Sequence, residues 1–153
     1  MACPAGFSTN NFYLSDNIYY PYVCYRVRPG TSDFWDAKND CDNLVSGSSL
    51  IRARSAIELS IANIYAQNVL GDILWTDSFT TATSLTFYWG DGSSVTLFCA
   101  GQPNNSGGSP SFLAQAAVRL ELSGCLNDYA AGTILSRVCQ YGMFFIKFIM
   151  FKI

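Results

Sequence analysis

The sequence predicts an α+β domain, and three observations predict it. Two segments in the first half carry the three-four spacing of apolar residues, and the caps, of helices. From residue 72 onward, short β-prone runs alternate with glycine turns. Six cysteines, with no Cys-x-x-Cys pair and no histidine in the chain, form an even set suited to three disulfides and not to a Cys/His metal site. With 153 residues, half of them apolar, the chain fits one domain with its own core.

Residues 3 to 31 are rich in tyrosine and turn formers, and residues 18 to 27 read as a strand interrupted by Pro21, which suggests a sheet edge or a bend. A helix follows, capped by Ser32, with Phe34, Ala37, Cys41 and Leu44 on one apolar stripe and Asp36, Lys38 and Asp40 on the wet side. The second helix is marked by the capping box Ser55-Ala56-Ile57-Glu58, a stripe of Ile57, Ile61, Ile64 and Tyr65, and a stop at Gly71. Strands are expected at 73–76 and 85–89, then at 95–99 after the turn Gly90-Asp91-Gly92. After a long loop, Val118, Leu120 and Leu122 alternate with Arg119 and Glu121 as a half-buried strand, and a last strand covers about 134–139. Trp35, Trp75 and Trp89 are expected as core or rim aromatics. The domain is expected over residues 3–140. Residues 141–153 are an apolar tail, too short for a membrane span and interrupted by Lys147 and Lys152. A spare strand, a hydrophobic anchor cut short and a non-native extension are all open for this tail, and the last is favoured because the cysteine framework closes at Cys139.

Composition removes several function classes. A net charge of −2 and nine scattered Lys and Arg leave no footprint for a phosphate backbone, so nucleic acid is not an expected partner. No membrane partner is expected either. No histidine, nucleophile elbow or phosphate-cradling glycine loop is present, and the eleven acidic residues show no paired arrangement; an enzyme is not expected. The cysteines point to an oxidising compartment, secreted or extracellular, although Met1-Ala2 leads into Cys3-Pro4 without a basic and apolar leader.

The candidate site is the run from Gly101 to Gly108, with Gln102, Pro103 and Asn104, read together with Leu126-Asn127-Asp128. The pair offers amide oxygens and a carboxylate on a glycine-rich loop and beside a strand, donors that suit a hard cation such as Ca²⁺. By composition alone the first run is a turn. Asn104-Asn105-Ser106 also fits an N-glycosylation acceptor, a use of Asn104 incompatible with its serving as a ligand.

The order of these pieces resembles a C-type lectin-like domain over residues 3 to 140. The matching pieces are Cys3-Pro4-x-Gly6-Phe7 with Cys24-Tyr25, the stripe Phe34-x-x-Ala37-x-x-x-Cys41-x-x-Leu44, Leu50, Trp75 and Trp89-Gly90-Asp91-Gly92-Ser93. Gly101-Gln102-Pro103-Asn104-Asn105, Leu126-Asn127-Asp128 and Val138-Cys139 complete the set. The resemblance implies a double-loop α+β fold with two helices and short antiparallel strands. It implies a Cys3–Cys24 disulfide on an N-terminal hairpin and a Cys41–Cys139 disulfide between the first helix and last strand. It also implies a carbohydrate-binding module in which Gln102, Asn104, Asn127 and Asp128 hold Ca²⁺ and the same groups bind adjacent sugar hydroxyls, with Pro103 cis. The expected partner is then a glycan or glycoprotein, with clustering of domains supplying avidity. The alternative is a Ca²⁺-independent protein- or ligand-binding domain with a degenerate sugar site.

Three departures from the family pattern matter. Ala117 and Ala131 stand near the places of a usual further cysteine pair; Cys99 and Cys125 lie instead just before Gln102 and Asn127, so a Cys99–Cys125 bond would join the two halves of the site. Asp128 is the expected sole carboxylate, because residues 109–117 contain no Asp or Glu, and Ca²⁺ affinity falls with ligand charge. Leu126 replaces the usual tryptophan. In the family, Glu-Pro-Asn goes with mannose-type and Gln-Pro-Asp with galactose-type ligands, and Gln102-Pro103-Asn104 is a hybrid of the two.

Overall fold

The computed structural model describes residues 3–9, 23–80, 86–104 and 117–142. In chain order the elements are β1 (Ser8–Thr9), β2 (Val23–Val27), α1 (Phe34–Leu44), β3 (Ser48–Leu50) and α2 (Ala56–Ile64), which continues as a π-helical segment (Tyr65–Leu70). Then come β4 (Leu74–Phe79), β5 (Tyr88–Trp89), β6 (Ala117–Leu120), β7 (Leu126–Tyr129) and β8 (Val138–Gly142). The described strands form two antiparallel sheets, β1-β2-β8-β3 and β5-β4-β6-β7. A parallel bridge between Leu74 and Ser136 and a hydrogen bond from Ile51 N–H to the Val138 carbonyl (2.9 Å) join β4 and β3 to the chain around β8.

Successive strand residues point to opposite faces, and here both faces are covered. Val23, Ile51, Leu74, Val118 and Val138 pack in a core with Ile61 and Tyr65. Their chain neighbours Cys24, Leu50, Trp75, Ala117 and Cys139 pack in a second core with Phe34, Ala37 and Cys41 of α1. This is why residues 23–25, 50–51 and 73–75 read as unbroken apolar runs instead of alternating ones. Leu126 fills its position in the first core with no exposed surface, and Ala117 and Ala131 are both buried in the second.

The helices form where their periodicity puts them, with one cap displaced. Asp33, not Ser32, caps α1: its Oδ1 accepts from Asp36 N–H at 2.9 Å. Ser32 is already engaged as strand, since its N–H and carbonyl pair with Leu135 and its carbonyl also accepts from Trp75 Nε1 at 3.1 Å. In α2, Ser55 Oγ accepts from Glu58 N–H at 3.2 Å, while the Glu58 carboxylate reaches back to the N–H of Arg54 at 3.0 Å. Gly71 ends the π-helical segment in a left-handed conformation at φ 62°.

Four strand expectations change. Of 85–89 only Tyr88–Trp89 is strand among the described residues, and the alternating strand ends at Leu120, with Leu122 left 45% exposed in the turn. Residues 95–99 form no regular strand; they run beside β7 through a single bridge between Phe98 and Leu126. The last strand begins at Val138, and Leu135 and Ser136 before it make isolated bridges to Ser32 and Leu74. β8 extends through Tyr141 and Gly142; residues 143–153, like Pro21, lie outside the described residues.

Three disulfides pair all six cysteines: Cys3–Cys24, Cys41–Cys139 and Cys99–Cys125. The second ties α1 to β8 across 98 residues of sequence, a closure that chain-entropy arguments value at about 4–5 kcal/mol. Among the described residues no helix is long and apolar enough to cross a membrane.

A charged frame braces one side of β4. Asp77, 1% exposed, accepts from Lys38 Nζ at 3.2 Å and Arg52 Nε at 2.8 Å. Gly90 N–H donates to the Asp77 carbonyl, and a Cβ at Gly90 would overlap the Asp77 carboxylate, which accounts for glycine after Trp89. Arg54 binds the buried Glu58 at 2.8 Å and Asp91 at 2.6 Å, fastening the start of α2 to the Gly90-Asp91-Gly92 turn. Asp91 is partly desolvated, which raises its pKa, but hydrogen bonds from Ser93 and the Arg54 cation prevail and hold it well below the usual carboxylate range.

Candidate functional site

The loop carrying Gln102 is held against β7 by backbone and by sulfur. Cys99 N–H donates to the Leu126 carbonyl at 2.8 Å, Leu126 N–H to the Leu97 carbonyl at 3.3 Å, and Gln102 N–H closes a turn on the Cys99 carbonyl at 2.9 Å. The Cys99–Cys125 disulfide, with Cα atoms 5.0 Å apart, locks the two stretches side by side. The Gln102-Pro103 peptide is cis. The turn between β6 and β7 is pinned from α2 and the segment after it: Asn63 Nδ2 donates to the Gly124 carbonyl at 3.2 Å and Gln67 Nε2 to the Leu122 carbonyl at 2.8 Å.

This arrangement brings Asn104 and Asp128 into direct contact, with Asn104 N–H donating to Asp128 Oδ1 at 3.1 Å. Asp128 has no exposed surface and lies opposite Val118 in the β6–β7 register. Asn127 lies opposite Arg119, and its Nδ2 donates to Glu121 Oε1 at 3.1 Å. Among the described residues no hydrogen bond links the Gln102 side chain to Asn127 or Asp128. Five buried side-chain polar atoms lack a hydrogen-bond partner among the described residues; two of these are Gln102 Oε1 and Asn127 Oδ1, carbonyl-type oxygens on predicted ligand residues. A buried oxygen without a partner forfeits its desolvation cost unless something else satisfies it.

Sequence reasoning missed the neighbours. Glu121 is a second carboxylate at the site, so Asp128 is not alone. Its charge is met by Arg119, whose Nε donates to Glu121 Oε1 at 2.6 Å and whose guanidinium lies 3.4 Å from the centroid of the Tyr129 ring. The signal was present in the alternation of Arg119 and Glu121 with Val118 and Leu120: it puts both on one face, and a short turn into β7 sets that face against Asn127. Counting only acidic residues near the Pro-Asn loop overlooked a carboxylate delivered across a strand pair.

No protein-family model matches the sequence, and no curated protein matches it. Solved structures do. The mouse scavenger receptor C-type lectin carbohydrate-recognition domain superposes with a TM-score of 0.69 at 24% identity, over 92% of this chain and 97% of that one. The cow carbohydrate-recognition domain of CD23, solved in the presence of a GlcNAc2Man3 oligosaccharide, gives 0.71 at 22% identity over 92% and 96% of the two chains. A calcium-independent type II antifreeze protein gives 0.66 at 18% identity over 92% and 95%. Similarity at this level of identity concerns architecture, and it extends over 92% of this chain. The chain has the C-type lectin-like α+β fold.

Proposed function

We propose that the domain binds carbohydrate through a weak Ca²⁺ site formed by Gln102, Asn104, Asn127 and Asp128. The observation that carries this reading is the pair of buried, unpartnered oxygens, Gln102 Oε1 and Asn127 Oδ1, on the two stretches that the Cys99–Cys125 disulfide holds together. Together with the buried Asp128 carboxylate, these uncharged oxygens are donors of the kind that fits a hard cation. Bound there, Ca²⁺ would supply a positive centre on which two adjacent sugar hydroxyls can gather. The chain's own part is to orient the amides: Asn127 donates its Nδ2 to Glu121, leaving Oδ1 for the ion, and Asn104 is anchored by its backbone on Asp128. With Glu121 neutralised by Arg119, one carboxylate charge remains, so the affinity belongs at the weak end, about 10⁻³ M or weaker. Single-sugar binding of that strength needs clustered domains for useful avidity, and the three disulfides suit a secreted or extracellular setting.

A second reading has its own support. The Arg119–Glu121 pair places a fixed cation beside Asn127, and a calcium-independent antifreeze protein shares the architecture; both favour a Ca²⁺-independent binding domain. A glycan array run with Ca²⁺ and with chelator, on the native chain and on Asp128→Asn, separates the two. The first reading expects chelator-sensitive binding that Asp128→Asn abolishes. Binding indifferent to chelator supports the second, and no glycan binding at all overturns the carbohydrate assignment.

A further inference from the structure

We propose that Arg119 is a tethered competitor for the divalent cation, setting the affinity of the candidate site through its own fixed charge; this inference rests on the Ca²⁺ reading above. Arg119 lies directly across the β6–β7 pair from Asn127. Its Nε and the Nδ2 of Asn127 donate to the same oxygen, Glu121 Oε1, at 2.6 and 3.1 Å, so guanidinium, carboxylate and ligand amide form one cluster. The guanidinium carbon lies over the Tyr129 ring, 3.4 Å from its centroid, and the side chain is only 15% exposed. Such a group is confined by cation–π contact and ion pairing and is not swinging in solvent.

Two consequences follow from that placement. Glu121, the carboxylate that would otherwise raise the charge of the donor set, spends its charge on Arg119. A cation arriving near Asn127 Oδ1 meets a positive group already present. Counting the Arg119–Glu121 pair with Asp128, the residues of the candidate site carry a formal net charge of −1; without the guanidinium they carry −2. For a unit and a double charge about 6 Å apart, even the dielectric of bulk water makes the repulsion worth about tenfold in an equilibrium constant.

The test is a calorimetric titration of CaCl2 into the native chain, Arg119→Gln, Arg119→Lys and the double variant Arg119→Gln/Glu121→Gln, with folding checked by circular dichroism. Arg119→Gln is expected to lower the Ca²⁺ Kd about tenfold or more. Arg119→Lys, which keeps the charge, is expected to stay close to native, and the double variant to return most of the gain. A folded Arg119→Gln with native or weaker affinity overturns the proposal. If Arg119→Gln does not fold, Tyr129→Leu frees the guanidinium from its platform and is expected to strengthen binding by a smaller factor; an unchanged Kd there counts against the proposal equally. Native binding and the variant ratio report separately. Binding by Arg119→Gln alone overturns the Ca²⁺ reading of the native chain and upholds the competition. Binding by both with equal Kd does the reverse, and binding by neither overturns both.

Discussion

Asp77 and Asp128 are both carboxylates on strands, 1% and 0% exposed, and they are met in different ways. Asp77 sits between two cations, Lys38 and Arg52, with Gly90 kept bare to make room for it. Asp128 takes the backbone N–H of Asn104, while the cation nearest in the strand register, Arg119, is turned onto Glu121. On the same loop and strand, Gln102 and Asn127 bury oxygens without a hydrogen-bond partner among the described residues. The first region is closed electrostatically and holds the halves of the domain together. The second keeps two buried oxygens, Gln102 Oε1 and Asn127 Oδ1, without a hydrogen-bond partner among the described residues, and the proposed cation site rests on them.

The largest test of that contrast uses the disulfides. Replacing Cys41 and Cys139 by alanine should cost about 4–5 kcal/mol, and replacing Cys99 and Cys125, only 26 residues apart, about 3–4 kcal/mol. Denaturant melts measure both. The second pair should in addition lose any response to Ca²⁺, because it is the covalent tie between the Gln102 loop and the start of β7.

Next in size is Asp77→Ala. Stripping one partner from a buried ion pair costs several kcal/mol, and about 3 kcal/mol is expected here, since Lys38 and Arg52 are themselves 22% and 19% exposed and can turn to water. A loss below about 1 kcal/mol in a urea melt would put Asp77 in the class of surface pairs and erase the contrast.

The order of elements was legible because it rests on local chemistry: the capping box at Ser55, the stripe of Phe34, Ala37 and Cys41, and the glycine at position 90 each follow from a neighbour within a few residues or from one steric demand. The cap at Asp33 and the irregular stretch 95–99 were not legible, because long-range partners decide them. Ser32 is taken by Leu135, and residues 97–99 are claimed by β7 in a pattern no alternation announces. At the site, Gln102 and Asp128 stood out by residue type, whereas Arg119 and Glu121 enter only through the β6–β7 register.

A smaller effect is expected with pH. Hydrogen bonds from Arg28, opposed by partial burial and reinforced by Arg137, hold Asp40 below the ordinary carboxylate range. A folded pKa below the unfolded one means a contribution that is complete above about pH 4 and is lost as pH falls toward the folded value. Melting temperature should therefore fall on acidification below about pH 4, and Asp40→Asn should flatten part of that fall. An Asp40→Asn profile parallel to the native one would deny Asp40 this role.

The central claim is that the unpartnered oxygens are donors for a cation, and Gln102→Met tests it most directly. Methionine keeps the length of the side chain and removes the buried amide, so without Ca²⁺ its melting temperature should equal or exceed the native one. At about ten times Kd, near 10–20 mM for a weak site, Ca²⁺ should stabilise the native chain by about 1.4 kcal/mol, a shift of a few degrees. In Gln102→Met that shift should be absent or much reduced. A native-sized shift in Gln102→Met, or a loss of stability without Ca²⁺ as large as that of Asp77→Ala, would contradict the account.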